Sequence, residues 1–226
     1  MTNPFQILLR SNLAWRLSGL SYPTGVFATR GHLQSVQRYL TESRGQMLQV
    51  RRLMSAESRV LEFGCGLGGN ISATHDWYAR ALGVDINPGF VRIARGIARR
   101  IGAENVDFQV IQSLEDLHLD TSFDLIFTIG VFERLSEEAV IQVLSRLREI
   151  LSDSGVIAAY FLSDRARSVE FSRRLGKSAY TYWSYTKVAS ACLIARLRVA
   201  ESGVWLSSSI RTIGNQGVGD LYLLKL

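Results

Sequence analysis

Apolar positions recur at helical spacing through the first sixty residues, and from residue 59 onward short apolar runs alternate with that longer period. Phe5, Leu9, Leu13, Leu17 and Leu20 share one face. They follow Asn3-Pro4, a capping residue with proline at the first helical position, so a helix is expected there. SYPTG (21–25) breaks it. Leu33, Val36, Leu40, Met47 and Met54 make a second stripe that predicts a helix from about His32 to Ala56, with Arg38, Arg44, Arg51 and Arg52 toward solvent.

RVLEFG (59–64) and ARALGVD (79–85) then read as short strands, with a glycine loop and a short helix between them. Asn87-Pro88 opens a helix with Phe90, Ile93, Ile97 and Ile101 inward, and Gly102 ends it beside Arg99 and Arg100, where cations suit the carbonyl end. VDFQVI (106–111) and FDLIFTI (123–129) are the third and fourth strands. Ser136 caps a helix with Glu137 and Glu138 in its first turn and Val140, Val143, Leu144, Leu147 and Leu151 inward. SGVIAAYFL (154–162) is the fifth strand. A basic, aromatic segment of little periodicity follows, then a helix from about Thr186 to Glu201 and two closing strands, GVWLSSSI and GDLYLLKL. Strands alternating with helices of this length make βαβ units, so the sheet is expected to be mostly parallel with right-handed crossovers. Consecutive closing strands without a helix imply an antiparallel hairpin at the sheet edge.

Composition narrows the class without naming a partner. The 226 residues are 47% apolar and 20% charged, an ordinary globular balance large enough for a full core. No apolar run approaches membrane-spanning length. The start lacks a clean apolar stretch before a small-residue cleavage site, so no signal peptide is expected. Cys65 and Cys192 have no partner-like spacing, which argues against a disulfide framework and for a reducing cytoplasm. The net charge of +6, almost all arginine, is spread thinly, so a plain basic surface weighs as much as a nucleic-acid, membrane or acidic partner.

The candidate chemistry begins at VLEFGCGLGGN (60–70). Its glycines fit a loop around a nucleoside with an amino-acid tail, and they also fit the G-x-G-x-x-G pattern that approaches a pyrophosphate. A parallel sheet binds ligands outside the carboxyl ends of its strands, where this loop falls. Glu62 stands just ahead of the first glycine and would repel a pyrophosphate, whereas a sulfonium ligand with a free amino group is compatible with it. Asp85 closes the second strand, where a carboxylate can accept ribose hydroxyls from either ligand.

These residues resemble the class I S-adenosylmethionine-dependent methyltransferases over roughly Arg59 to Leu162. VLEFGCGLGGN resembles the family's first motif, ALGVDINPGFVRIAR its second, SLEDLHLDTSFDLIFTIGVFERL its third and fourth, and SDSGVIAAYFL the strand and turn that follow. The resemblance implies a Rossmann-like, seven-stranded, mostly parallel sheet with an antiparallel C-terminal hairpin and helices on both faces. It divides the chain into an N-terminal helical lid (1–57) and a methyltransferase domain (58–226), with 163–185 as an acceptor-pocket segment. It implies S-adenosylmethionine as cofactor and S-adenosylhomocysteine as product. Glu62, Gly64, Cys65, Gly66 and Gly68 are then expected around the methionine moiety, Asp85 on the ribose, and Ile86, Ser113 and Leu114 at the adenine, with Ile129 and Gly130 completing the site. Two departures stand out. Ser113 replaces an acid often found after the third strand, and Arg134 replaces the histidine of a glutamate-histidine-leucine run, so no base role carries over to position 134.

Methyl transfer from a sulfonium is an in-line displacement, helped mainly by proximity and exclusion of water. A base matters only for a protonated acceptor. The weak catalytic candidates are His32 and Glu133, while His75 and His118 read as structural or loop residues. Tyr180, Tyr182, Trp183 and Tyr185 are denser in aromatics than a solvated loop needs and are expected to wall an acceptor pocket. A basic rim of Arg30, Arg165 or Arg173 would favour an anionic acceptor. No metal-ligand spacing is present. The leading expectation is a small-molecule O- or N-methyltransferase. The run Ile129-Gly130-Val131-Phe132 lacks the proline-rich motif of exocyclic base methylation, which demotes nucleic acid without removing it. A non-catalytic adaptor that uses the N-terminal helix as a membrane-surface or partner anchor is the other alternative, against which a lid or a homodimer-forming helix is favoured, with an NAD-dependent oxidoreductase a distant fourth.

Overall fold

The computed structural model of the chain describes residues 32–117, 121–163, 181–205 and 219–226. The expected first helix (Phe5 to Leu20), His118, Tyr180, Arg30, Arg165 and Arg173 lie outside the described residues, as does the side chain of His32. Seven strands, β1 (Arg59–Phe63), β2 (Arg80–Asp85), β3 (Val106–Val110), β4 (Phe123–Thr128), β5 (Leu151–Leu162), β6 (Arg198–Trp205) and β7 (Gly219–Lys225), lie in the order β3-β2-β1-β4-β5-β7-β6 and make a mixed, mostly parallel sheet, the architecture expected from the sequence. The chain divides into two compact units, Met1–His118 and Leu119–Leu226.

The first unit holds α1 (His32–Met47), a 3-10 turn (Leu48–Leu53), β1 (Arg59–Phe63), α2 (Gly69–Ala73), β2 (Arg80–Asp85), α3 (Pro88–Ile101) and β3 (Val106–Val110). The helix expected to reach Ala56 therefore stops being α-helical at Met47. β1 and β2 pair in parallel with Leu61 opposite Leu82, and β2 and β3 with Val84 opposite Gln109. Val60, Leu61 and Val84 are fully buried, as strands covered on both faces require. Helix α3 starts as its sequence dictates: the Asn87 side chain accepts from the Gly89 and Phe90 N–H groups, Pro88 sits in the first turn, and Gly102 closes the helix at φ 71°. Its buried face is Phe90, Val91, Ala94, Ile97 and Ala98, while Ile93 and Ile101 are half-buried. The small side chains Ala94 and Ala98 let the helix approach the sheet closely, which turns the face away from the one a tally of isoleucines picks.

The second unit holds β4 (Phe123–Thr128), α4 (Glu137–Glu149), β5 (Leu151–Leu162), α5 (Tyr185–Ile194), β6 (Arg198–Trp205) and β7 (Gly219–Lys225). Ser136 caps α4 through the Ala139 N–H, and Ser184 caps α5 through the Lys187 N–H. β5 runs parallel to β4, and β7 lies antiparallel between β5 and the edge strand β6. Leu151, expected on the inward face of α4, instead opens β5 and is buried there. The last helix, expected to run to Glu201, ends at Ile194. Arg196 takes a left-handed φ of 57°, and the Leu197 N–H donates to the Cys192 carbonyl to close the turn. Leu197 and Val199 then alternate with arginines at strand period, and the chain leaves the turn directly into β6. Phe161 ties this unit's core together, with ring centroids 5.0 Å from Phe132, 5.0 Å from Trp183 and 5.4 Å from Tyr222. Among the described residues, no helix is long and apolar enough to cross a membrane.

Candidate active site

In the first unit the loop after β1 turns through three glycines of left-handed conformation, Gly64 (φ 78°), Gly66 (φ 52°) and Gly68 (φ 71°). At Gly68 a side chain is also barred by packing, because a Cβ would overlap the Phe108 ring and lie 2.8 Å from the Ala94 Cβ. Backbone and side-chain bonds then fix the loop to the end of β2. The Gly64 and Cys65 N–H groups donate to the Val84 carbonyl at 2.8 and 3.0 Å. Asp85 receives the Gly66 N–H on Oδ2 and the Asn87 N–H on Oδ1, both at 2.8 Å. Burial raises the Asp85 carboxyl, and these backbone donors work against the rise.

Glu62, on β1, is 3% exposed. Its Oε1 accepts from Asn70 Nδ2 at 2.7 Å, while Oε2 has no hydrogen-bond partner among the described residues. Burial pushes its carboxyl up to about 8, the Asn70 and Ile71 donors oppose that, and the charge of Asp85 adds to it. Its surroundings are acidic: Asp85, the Cys65 thiol and the Tyr39 phenol all interact with this group, and burial raises each of them. A buried carboxyl oxygen without a donor, in a nest of other acids, is costly unless a cation or donor reaches it. Tyr39 on α1 was not among the expected residues. It accepts the Gly69 N–H at 3.1 Å.

After β3 the backbone is ordered by an acid outside the expected site positions. Asp116 Oδ2 accepts the Gln112 and Ser113 N–H groups at 2.5 and 3.0 Å. Ser113 and Leu114 are half-buried, as is Ile86 after β2. The acid missing at position 113 is thus supplied three residues on, but it is spent on the loop's own backbone. Asn70, Asp116 and Tyr39 carried only weak signals, a polar residue inside an apolar stripe or just past a strand, and their partners lie far along the chain or depend on a turn.

In the second unit Gly130 (φ 77°) follows β4, and a Cβ there would meet only Glu133 Oε1, at 3.7 Å. Ile129 beside it is half-buried. Glu133 is buried, and its Oε2, like that of Glu62, has no hydrogen-bond partner. Burial raises its carboxyl, against the pull of Arg134. Its backbone carbonyl accepts the Thr181 N–H at 2.8 Å, and the Thr181 hydroxyl donates to the Leu135 carbonyl. The described members of the aromatic group differ in burial. Trp183 is 2% exposed and sits in the core against Phe161, Tyr185 is 57% exposed beside the Tyr222 ring, and Tyr182 is intermediate.

A family profile described as a methyltransferase domain matches residues 60–155, the stretch that carries this loop and both acids. Ajmaline N-methyltransferase of Rauvolfia serpentina is 33% identical over 81 residues, 35% of this chain and 28% of that protein, so the chain spans well under half of that relative's length. Magnesium protoporphyrin IX methyltransferase of Synechocystis PCC 6803, solved with bound S-adenosylhomocysteine, superposes at a TM-score of 0.66 with 14% identity, over 98% of this chain and 100% of that one. An O-methyltransferase from neocarzinostatin biosynthesis, solved with S-adenosylmethionine and a naphthoic acid, superposes at 0.61 with 15% identity, over 86% of this chain and 57% of that one. The matched profile, the motif loop and the strand order agree: residues 60–155 match a methyltransferase domain, and the chain has the fold of the class I S-adenosylmethionine-dependent methyltransferases.

Proposed function

We propose that the protein transfers a methyl group from S-adenosylmethionine to an oxygen or nitrogen of a small-molecule acceptor. The observation that carries the reading is Glu62, a buried carboxyl with an unpartnered oxygen beside three left-handed glycines. An α-ammonium group supplies the missing partner, and the acidic surroundings suit a ligand of net positive charge. A pyrophosphate supplies neither. The residues therefore fit the cofactor. Glu62 with Gly64, Cys65, Gly66 and Gly68 would hold the methionine end, and Asp85 would take the ribose hydroxyls with the lone pairs its backbone donors leave. Ile86, Ser113 and Leu114 would flank the adenine, and Ile129 and Gly130 are further cofactor-binding candidates by their place after β4. When bound, the cofactor supplies an electrophilic methyl group.

The protein's share of the chemistry is orientation and exclusion of water, which alone can account for a large part of the acceleration. Glu133 is the described candidate for drawing a proton from a hydroxyl or ammonium acceptor. Burial raises its carboxyl, which makes it a stronger proton acceptor than a solvated one. His32 remains a second candidate. Of the aromatic group, Tyr182 and Tyr185 are the described members with surface to offer an acceptor, and Trp183 serves them as a core anchor. Residues 1–57 act as a lid in this reading, 58–226 as the methyltransferase domain and 163–185 as the acceptor segment, in a cytoplasmic enzyme whose acceptor is anionic and whose dimer forms through the N-terminal helices.

Titration calorimetry tests the reading. S-adenosylmethionine and S-adenosylhomocysteine are both expected to bind, and NAD is not. Absence of binding by both S-adenosyl compounds would overturn it.

A further inference from the structure

Helix α1 lies outside the stretch that the family profile covers, yet it contributes a side chain to the loop. Tyr39 Oη accepts the Gly69 N–H at 3.1 Å, and Ser43, one turn further on, is buried beside it. The fit is close enough that a Cβ at Gly69 would overlap the Tyr39 ring and hydroxyl and lie 2.6 Å from Ser43 Oγ. The next residue, Asn70, gives its amide to Glu62 Oε1 at 2.7 Å and leaves Oε2 without a partner. The chain of contacts therefore runs from α1 through one backbone N–H to the amide that orients the buried carboxyl.

A second anchor joins α1 to the same short helix without touching this path. Arg44 donates to the Ala73 carbonyl at 2.7 Å and to both oxygens of Asp76, at 2.5 and 2.8 Å. Its guanidinium also lies 4.6 Å from the centre of the Trp77 ring. The two anchors separate docking of the helix from shaping of the loop.

We propose that Tyr39 is a positioning residue for the cofactor site: its hydroxyl holds the Gly69–Asn70 turn, and through Asn70 it sets the Glu62 carboxyl that faces the cofactor's ammonium group. The proposal rests on the reading that this loop binds S-adenosylmethionine. Burial and the nearby Glu62 charge hold the phenol above its ordinary range, so it stays a neutral hydroxyl throughout the working pH range.

The test compares Tyr39→Phe with Arg44→Ala, using calorimetry with S-adenosylhomocysteine, thermal denaturation, and the infrared band of the Glu62 carboxyl identified by its loss in Glu62→Gln. Tyr39→Phe is expected to weaken S-adenosylhomocysteine binding about 3- to 10-fold, the loss of one neutral hydrogen bond, and to shift the Glu62 band. Arg44→Ala is expected to lower the melting temperature at least as much, with affinity within about 2-fold and the band in place. Wild-type affinity in Tyr39→Phe, or an equal loss in Arg44→Ala, overturns the proposal alone. A wild-type protein that binds neither S-adenosyl compound overturns the cofactor reading and the proposal with it.

Discussion

Each compact unit sets a glycine turn beside a buried glutamate, and the two are built on different terms. Glu62 and Glu133 both have an unpartnered Oε2, and burial raises both carboxyls. Glu62, however, is gripped by the Asn70 amide and lies among acids, whereas the charge nearest Glu133 in effect is the cationic Arg134. The glycines differ in the same sense. Gly68 is packed against Phe108 and Ala94, while a Cβ at Gly130 would meet, among the described residues, Glu133 alone. A carboxyl held rigidly in an acidic nest is suited to a fixed cationic ligand. One with a cation beside it is suited to carrying charge without a ligand.

The largest test of that contrast is steric. Gly68→Ala combines a left-handed φ with a clash against the Phe108 ring and is expected to cost about 2–5 kcal/mol in denaturant unfolding. Gly130→Ala carries the conformational penalty alone, roughly 1–2 kcal/mol. Equal losses in the two variants would show that the first turn is no tighter than the second.

Next comes affinity. Glu62→Gln keeps the shape and removes the charge, so S-adenosylhomocysteine binding should fall about 10- to 100-fold by calorimetry, the usual range for a hydrogen bond to a charged group. Glu133→Gln should leave that affinity within about 3-fold, because acceptor chemistry is its assigned role. A matching loss in both variants would merge the two sites.

The smallest effect is on pH. Both carboxyls lie above the ordinary 4.5 in the folded protein, so the protonated form favours folding. Their stabilising contribution is whole below about pH 4.5 and is lost as pH climbs through the folded value, about 8 for Glu62. Unfolding midpoints should therefore decline between pH 5 and 8, less steeply in either glutamine variant. An ammonium ligand prefers the charged carboxylate, so cofactor affinity in the wild type should rise from about pH 6 to 7.5, by up to roughly tenfold per unit, while Glu62→Gln stays flat over that interval. A flat wild-type profile would mean that Glu62 is already ionised without ligand.

The strand-and-helix alternation, the first glycine turn, and the caps at Asn87 and Ser136 follow from local chemistry. Hydrophobic period, left-handed φ and side-chain capping each depend on a few neighbouring residues, so VLEFG, FDLIFT and SEEAV are enough to reveal them. The acids Glu62 and Asp85 are legible for the same reason, since one stands just ahead of the loop and the other closes the next strand. The errors fell where packing outweighs period. The final helix stopped at Ile194 because Arg196 turned left-handed and β6 gained a partner in β7, a strand that comes later in the chain. Trp183 reads as a pocket wall by its neighbours, but Phe161 claims it for the core.

What the sequence determined by itself is which segments are strands and helices and which loop can turn tightly enough to hold a nucleoside, because those properties are written within a few residues. The tertiary structure alone decided which buried oxygens are left without partners, and that Tyr39 and Asn70 reach the loop while Asp116 orders the turn after β3. The reason is physical. A hydrogen bond such as Tyr39 to Gly69 joins positions remote in sequence, and its existence depends on how a helix docks, which no local pattern encodes.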